Sequence, residues 1–200
     1  MYIIVKRLSD ILIASLTLLI LSPVLILISM AILISSGKPI FYLQERVGKE
    51  WKKFKIIKFR TMIDNADKVG PGVAAEDDKR VTRIGKFLRK YKLDELPQFF
   101  NVLWGEMSLI GPRPELPKYA EFYKDDYSKI LTLKPGITDY ASIIFRNEAK
   151  MLNGKSESES FYLMKILPKK IFLYKKYLQE VGLITDLKIL FSTFKLIFKW

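Results

Sequence analysis

The 200-residue chain contains no histidine and no cysteine, which removes the commonest general base, the thiolate nucleophile, disulfides and the usual zinc ligands from any chemistry it performs. Half of its residues are hydrophobic, 28% are charged and the formal net charge is +13. That balance fits one globular unit with a membrane element and an anionic partner: nucleic acid, anionic lipid or a phosphorylated substrate.

Ile11 to Gly37 carries no charge, and a helix over Ile11–Ile34 would be about 36 Å long, enough to cross a bilayer. Ser22-Pro23 falls at its midpoint, where proline removes a helical hydrogen bond and clashes with the preceding turn. Lys6 and Arg7 precede the run, and Lys38, Arg46, Lys49, Lys52 and Lys53 follow it, so both flanks carry the cytoplasmic signature. A kinked span and a re-entrant hairpin broken at Ser22 and Pro23 both satisfy these facts. In the hairpin, Ser22 helps satisfy the freed backbone groups. The run is too long for a cleaved signal peptide.

Ile40–Leu43 and Phe54–Phe59 read as a small β-hairpin, with Lys58 and Arg60 on one face of its second strand. Asp64–Thr82, with Gly70-Pro71-Gly72 and Glu76-Asp77-Asp78, reads as a loop able to cover a site. Asp77-Asp78 is the second-ranked acidic pair. Ile84, Phe87, Leu88 and Tyr91 then form a helical stripe, leaving Arg83, Lys86, Arg89 and Lys90 on the wet face.

Asp94 and Glu95 come next, ahead of a short helix expected from Pro97 to Trp104 and stopped by Gly105. Phe99, Val102 and Leu103 are its expected buried stripe. A helix start favours anions, so it keeps a carboxylate ionised and lets a phosphate dock beside it. An isolated Asp-Glu pair is usually a solvated helix cap. Here it is followed by Gly111-Pro112-Arg113-Pro114, in which two prolines fix the backbone around one guanidinium suited to phosphate.

Downstream, Leu116–Leu131 reads as an amphipathic helix ended by the turn Lys134-Pro135-Gly136, Asn153–Ser160 as a loop, and Pro168–Glu180 as a helix. In Thr185–Trp200, Lys188, Ser192, Lys195 and Lys199 share one helical face, and Leu187, Leu190, Phe191, Phe194, Ile197 and Phe198 the other. That pattern suits an interfacial membrane helix or a core-packed helix with a wet lysine stripe.

The run LDELPQFFNVLWGEMSLIGPRP resembles the signature of the bacterial sugar transferases, the small monotopic phosphoglycosyl transferases. QERVG, KFRTM, TRIGKFLR and KPGIT extend the resemblance over nearly the whole chain. It implies a mainly α fold with a small β-hairpin, in a monotopic membrane enzyme with an N-terminal re-entrant broken helix and interfacial amphipathic helices. The implied division is a membrane element (1–37), a cytoplasmic catalytic domain (38–184) and a C-terminal interfacial helix (185–200), at the cytoplasmic face of a bacterial inner membrane.

The implied reaction moves a sugar 1-phosphate from a UDP-sugar to polyprenol phosphate and releases UMP. Asp94 is the expected nucleophile, forming an aspartyl phosphosugar, with Glu95 completing the dyad. Mg2+ is expected, with Asp94 and substrate oxygens as ligands. Lys58, Arg60, Arg89, Arg113 and Arg146 are the expected phosphate clamps. Asp139-Tyr140 departs from the family pattern, which bears on sugar specificity. The expected partners are the UDP-sugar, polyprenol phosphate and membrane lipid, with a homo-oligomer left open. No Walker loop, zinc spacing or RNA-binding aromatic motif points to nucleic acid. The competing class is a membrane-anchored basic module that binds anionic lipid or nucleic acid.

Overall fold

In the computed structural model, which describes residues 2–154 and 157–198, the apolar N-terminal run forms one helix, α1 (Tyr2–Ser36). Pro23 lies inside this helix and does not end it. The amide that Pro23 lacks would have bonded the Leu19 carbonyl, and the hydroxyl of Ser22 donates to that carbonyl instead, at 2.8 Å. The helix is long and apolar enough to cross a membrane. Only Asp10, Ala14, Ile28 and Ile32 are buried along it.

Both ends of α1 are fastened to the body of the protein. Strand β1 (Phe41–Val47) pairs antiparallel with β2 (Lys53–Phe59), Phe41 opposite Phe59. The first strand runs four residues beyond the expected Leu43, because its pairing with β2 continues to Val47 opposite Lys53, and on this extension Arg46 donates to Glu115. Arg60, just past β2, donates to the Ser36, Gly37 and Lys38 carbonyls at the end of α1. The polar segment that follows contains one short helix, α2 (Ala66–Val69), and its base is closed by a Met62–Val81 bridge.

Helix α3 (Arg83–Lys90) is capped by Thr82, whose hydroxyl accepts the Gly85 N–H. A Cβ on Gly85 would lie 2.0 Å from the Thr61 carbonyl oxygen, so glycine is what lets α3 pack so closely there. This contact rotates the helix away from the expected stripe. Leu88 is buried, while Phe87 and Tyr91 are exposed and meet in a tilted ring pair with centroids 4.8 Å apart. Arg89 turns inward, and its Nε donates to the Thr61 hydroxyl.

A 3-10 turn, Leu93–Glu95, precedes α4 (Gln98–Trp104). Val102 is buried as expected, but so are Gln98 and Asn101. Asn101 accepts the Ile57 N–H and donates to the Lys55 carbonyl, behaving as one more rung on the edge of β2. Arg7 donates to the Val102 and Leu103 carbonyls at the end of α4, where cations stabilise a helix C-terminus.

Strand β3 (Ser108–Ile110) follows, and the buried carboxylate of Asp10 accepts its Leu109 N–H. The expected helix over Leu116–Leu131 is two helices, α5 (Pro117–Phe122) and α6 (Lys124–Ile130), broken at Tyr123, whose hydroxyl donates to the Leu163 carbonyl. Strand β4 (Gly136–Thr138) pairs parallel with β3. The chains meet at Gly111 and Gly136, where a Cβ on Gly136 would lie 2.1 Å from the Gly111 nitrogen.

The short helices α7 (Tyr140–Ile144), α8 (Glu148–Met151) and α9 (Ser158–Phe161) lead through a π-helical turn, Tyr162–Ile166, into α10 (Leu167–Glu180) and α11 (Leu183–Phe198). On α11, Ile189 is buried while Ile184, Leu187, Phe191 and Phe194 are exposed. Lys199 and Trp200 lie outside the described residues.

Three apolar clusters make the core. One joins Ile28 and Ile32 of α1 to Phe59 and Leu88. A second joins Ala14 of α1 to Phe54, Ile56, Val102 and Tyr177. The third, around Tyr127, Tyr162, Ile171 and Tyr174, contains no residue of α1.

Candidate active site

Asp94 and Glu95 sit side by side on a cleft of about 960 Å3, at the upper end of the range for small-molecule sites, roughly 300–1,000 Å3. Their surroundings differ. Arg113 donates to both carboxylate oxygens of Glu95 through its two terminal nitrogens, and Lys58 donates to Oε1 at 3.0 Å. Burial would raise the Glu95 carboxyl, but Arg113 and then Lys58 hold it well below the usual carboxylate range. Burial pushes the Lys58 ammonium down, and Glu95 only partly offsets this.

Asp94 is 7% exposed, and its Oδ1 has no hydrogen-bond partner among the described residues. Burial first, and the charge of Glu95 second, push its carboxyl above the usual aspartate range, against the pull of Lys58, Arg89 and Lys92. A buried carboxylate left unpaired inside a ring of cations is an arrangement that folding alone does not favour. It suits a group held ready to meet an electrophile bound by those cations.

The residue that seats this pair went unnoticed in the sequence. Asn101 ties α4 to β2, so the turn bearing Asp94 and Glu95 is held beside Lys58. An asparagine inside the apolar run QFFNVLW was the available signal, since a buried amide demands partners. On the other side, the Asp139 carboxylate accepts the Arg113 N–H and caps α7 through the Ser142 N–H. The departure from the family pattern at Asp139 therefore coincides with a group that fixes the Pro-Arg-Pro loop. Tyr140 donates to Glu180.

The family model for bacterial sugar transferases matches residues 1–200. The chain belongs to the bacterial sugar transferase family. A UDP-glucose:undecaprenyl-phosphate glucose-1-phosphate transferase of Klebsiella pneumoniae is 41% identical over 194 residues, covering 94% of this chain and 39% of the relative. A UDP-N-acetylgalactosamine-undecaprenyl-phosphate N-acetylgalactosaminephosphotransferase of Aeromonas hydrophila is 39% identical over 167 residues, covering 81% of this chain and 40% of the relative. The exopolysaccharide production protein ExoY of Sinorhizobium fredii is 36% identical over 203 residues, covering 94% of this chain and 83% of the relative. The chain spans about two fifths of the length of the first two relatives.

On this sugar transferase chain the other expected clamps divide. Arg89 reaches the cleft, held through Nε by Thr61. Arg146 also lines the cleft, and its Nη1 donates to the Leu196 carbonyl of α11. Arg60 borders the cleft too, but its terminal nitrogens are taken by carbonyls of residues 36–38. Of the second-ranked pair, Asp78 is bound by Arg80 and Asp77 is exposed. Neither lines the cleft.

Among the described residues no group of three or more acidic side chains could hold a metal ion. The residues fit a metal that arrives with its substrate: Asp94 lines the cleft and its Oδ1 has no hydrogen-bond partner among the described residues, and Mg2+ is commonly held by one or two carboxylates with substrate phosphates and water completing its shell.

Proposed function

We propose that this chain transfers a sugar 1-phosphate from a UDP-sugar to polyprenol phosphate through a covalent intermediate on Asp94. The reading rests on the buried Asp94 carboxylate, unpartnered at Oδ1 beside a Glu95 already bound by Arg113 and Lys58. The relatives named for UDP-sugar and undecaprenyl-phosphate chemistry point the same way.

In the first displacement an oxygen of Asp94 attacks the sugar-linked phosphorus. The new O–P bond replaces the bond to UMP, and the electron pair leaves on the UMP phosphate. In the second, an oxygen of polyprenol phosphate attacks the same phosphorus and the Asp94 carboxylate is released. Arg113 and Lys58 stay fixed by Glu95, so their charge faces the transferred phosphate without reorganising. Arg89 adds a third cation. Glu95 holds these cations in place, and the acceptor phosphate needs little general base because its second pKa is about 6. Mg2+ bound by Asp94 and the diphosphate would neutralise charge on the leaving phosphate.

The chain acts at a membrane, in our reading at the cytoplasmic face of the bacterial inner membrane, with residues 1–37 as a re-entrant element, 38–184 as the catalytic domain and 185–200 as an interfacial helix. Two features support this. A 35-residue helix is about 52 Å long, and crossing a bilayer would carry one end away from the catalytic body, yet both ends of α1 bond to that body. The exposed Ile184, Leu187, Phe191 and Phe194 give α11 an apolar outer face. A module that only binds anionic lipid or nucleic acid leaves the unpaired Asp94 without a purpose.

The test is to incubate the purified protein with polyprenol phosphate, Mg2+ and a panel of UDP-sugars, and to measure UMP. A labelled sugar phosphate trapped on Asp94 is the expected intermediate. UMP release without such an adduct would exclude the double displacement.

A further inference from the structure

The cleft holds a second charged cluster that the phosphate chemistry does not use. Lys170 of α10 is 4% exposed and Glu115 is 5% exposed. Lys170 donates to Glu148 at 2.9 Å and to the Tyr162 hydroxyl at 3.1 Å, and Tyr162 in turn donates to Glu115. Arg46 closes the chain by donating to Glu115. All five side chains line the cleft. The cluster adjoins Tyr119, which is buried, borders the same cleft and lies with its ring 5.5 Å from that of Tyr162. Tyr162 also opens the π-helical turn, a local distortion often found at functional sites.

Burying such a network adds little stability over apolar packing, so its place on the cleft wall needs another reason. With two carboxylates, one lysine and one arginine it is formally neutral. It therefore does not select for phosphate, and it suits a neutral group rich in hydroxyls.

Stereochemistry assigns the arms of the cleft, taking the double displacement on Asp94 as given. Each displacement is in line, so UMP departs from the side opposite Asp94 and the acceptor phosphate must approach from that same side. Nucleotide and acceptor phosphates thus alternate in one arm. That arm must open toward the lipid, and α3, which lends Lys86, Arg89 and Lys90 to the cleft, shares a core with Ile28 and Ile32 of α1. The Tyr162 cluster belongs to the one core that contains no residue of α1.

We propose that Glu115, Glu148, Tyr162 and Lys170 form the arm that recognises the sugar ring of the donor, separate from the arm shared in turn by UMP and polyprenyl phosphate. The proposal rests on the transferase reading above.

The test uses the full chain in lipid nanodiscs. Tyr162→Phe and Glu148→Gln are expected to change the kcat/KM ratio between two UDP-sugars that differ at one hydroxyl by at least about fivefold, leaving the KM for polyprenol phosphate within about twofold. All donors slowed by one common factor, or a shift in acceptor KM instead, would overturn the proposal. A measurement that does not depend on those variants folding uses Asp94→Asn, which holds the donor unreacted. UDP-sugar is expected to protect residues 162–170 from hydrogen exchange beyond the protection given by UDP alone, and equal protection would overturn the assignment. If the wild-type protein releases no UMP with any donor while that extra protection persists, the transferase reading falls and the sugar arm stands. UMP release with equal protection and an unchanged donor ratio would sink the sugar arm and leave the transferase reading in place.

Discussion

Arg113 grips Glu95 through both terminal guanidinium nitrogens, and this one pairing makes two neighbouring carboxylates unlike each other. The locked member keeps the cations in place, while the member beside it lines the cleft with its Oδ1 unpartnered among the described residues. Substitutions at the two positions should therefore act in opposite directions.

Asp94→Asn should abolish activity without harming the fold. Burial raises the folded-state pKa of Asp94, so the native protein keeps that proton to higher pH than the unfolded chain does. The resulting stability is whole below the unfolded aspartate pKa of about 3.9 and is lost as pH rises through the folded value. At neutral pH the ionised carboxylate is a net cost, so the asparagine variant should melt at an equal or higher temperature. UMP release should fall by at least about a thousandfold. Wild-type activity should rise with pH through a limb above the ordinary aspartate range, because attack needs the ionised form. Calorimetry alongside a pH–rate profile checks both parts.

Glu95→Gln should do the opposite to stability. It strands Arg113 and Lys58 in a partly buried site, at a cost of about 2–3 kcal/mol, somewhat below that of breaking a fully enclosed pair. The Glu95 pKa is depressed, so its contribution is present above the unfolded glutamate value of about 4.3 and fades as pH falls through the folded value. Urea melts across that acid range should show the gap between wild type and variant closing.

Arg60→Ala separates a clamp from a tie. Losing the guanidinium leaves the carbonyls of residues 36–38 without their donor, which should cost about 2–3 kcal/mol and speed proteolysis near residue 37. The donor KM should stay within about twofold. A raised donor KM at unchanged melting temperature would return Arg60 to the phosphate site.

The path of α1 can be read chemically, because the chain has no cysteine of its own. Single cysteines placed at Ile3 and Lys38, both exposed, should react with an impermeant maleimide in inverted vesicles and resist it in intact spheroplasts. Reaction of one from each side would establish a span.

Periodicity and punctuation made much of this legible. The apolar run of α1, the alternation in β2 and the Pro-to-Gly frame of α4 appear in the structure close to where the sequence places them. What escaped were contacts between segments remote in sequence. The parallel pairing of β3 with β4 rests on two glycines 25 positions apart, and three-residue strands carry too little pattern to be read. Gly85 rotated α3 by admitting a neighbouring backbone, which no hydrophobic stripe foretells. At the site, the Asp-Glu pair and the Pro-Arg-Pro loop were visible as local motifs. That Arg89 faces the cleft while Arg60 faces the end of α1 depends on which backbone each meets, and identical side chains give no advance notice of that.

The bonds from Arg7 and Asp10 to α4 and β3 bear on how this polypeptide matures. The lipid-seeking segment supplies struts to the water-facing half, so trimming it away to obtain a freely soluble enzyme would leave the ends of α4 and β3 with raw, unmet polar groups. The folded state of α4 and β3 therefore depends on α1 being in place, and an apolar helix of membrane-spanning length doubles as a structural part of the body it precedes.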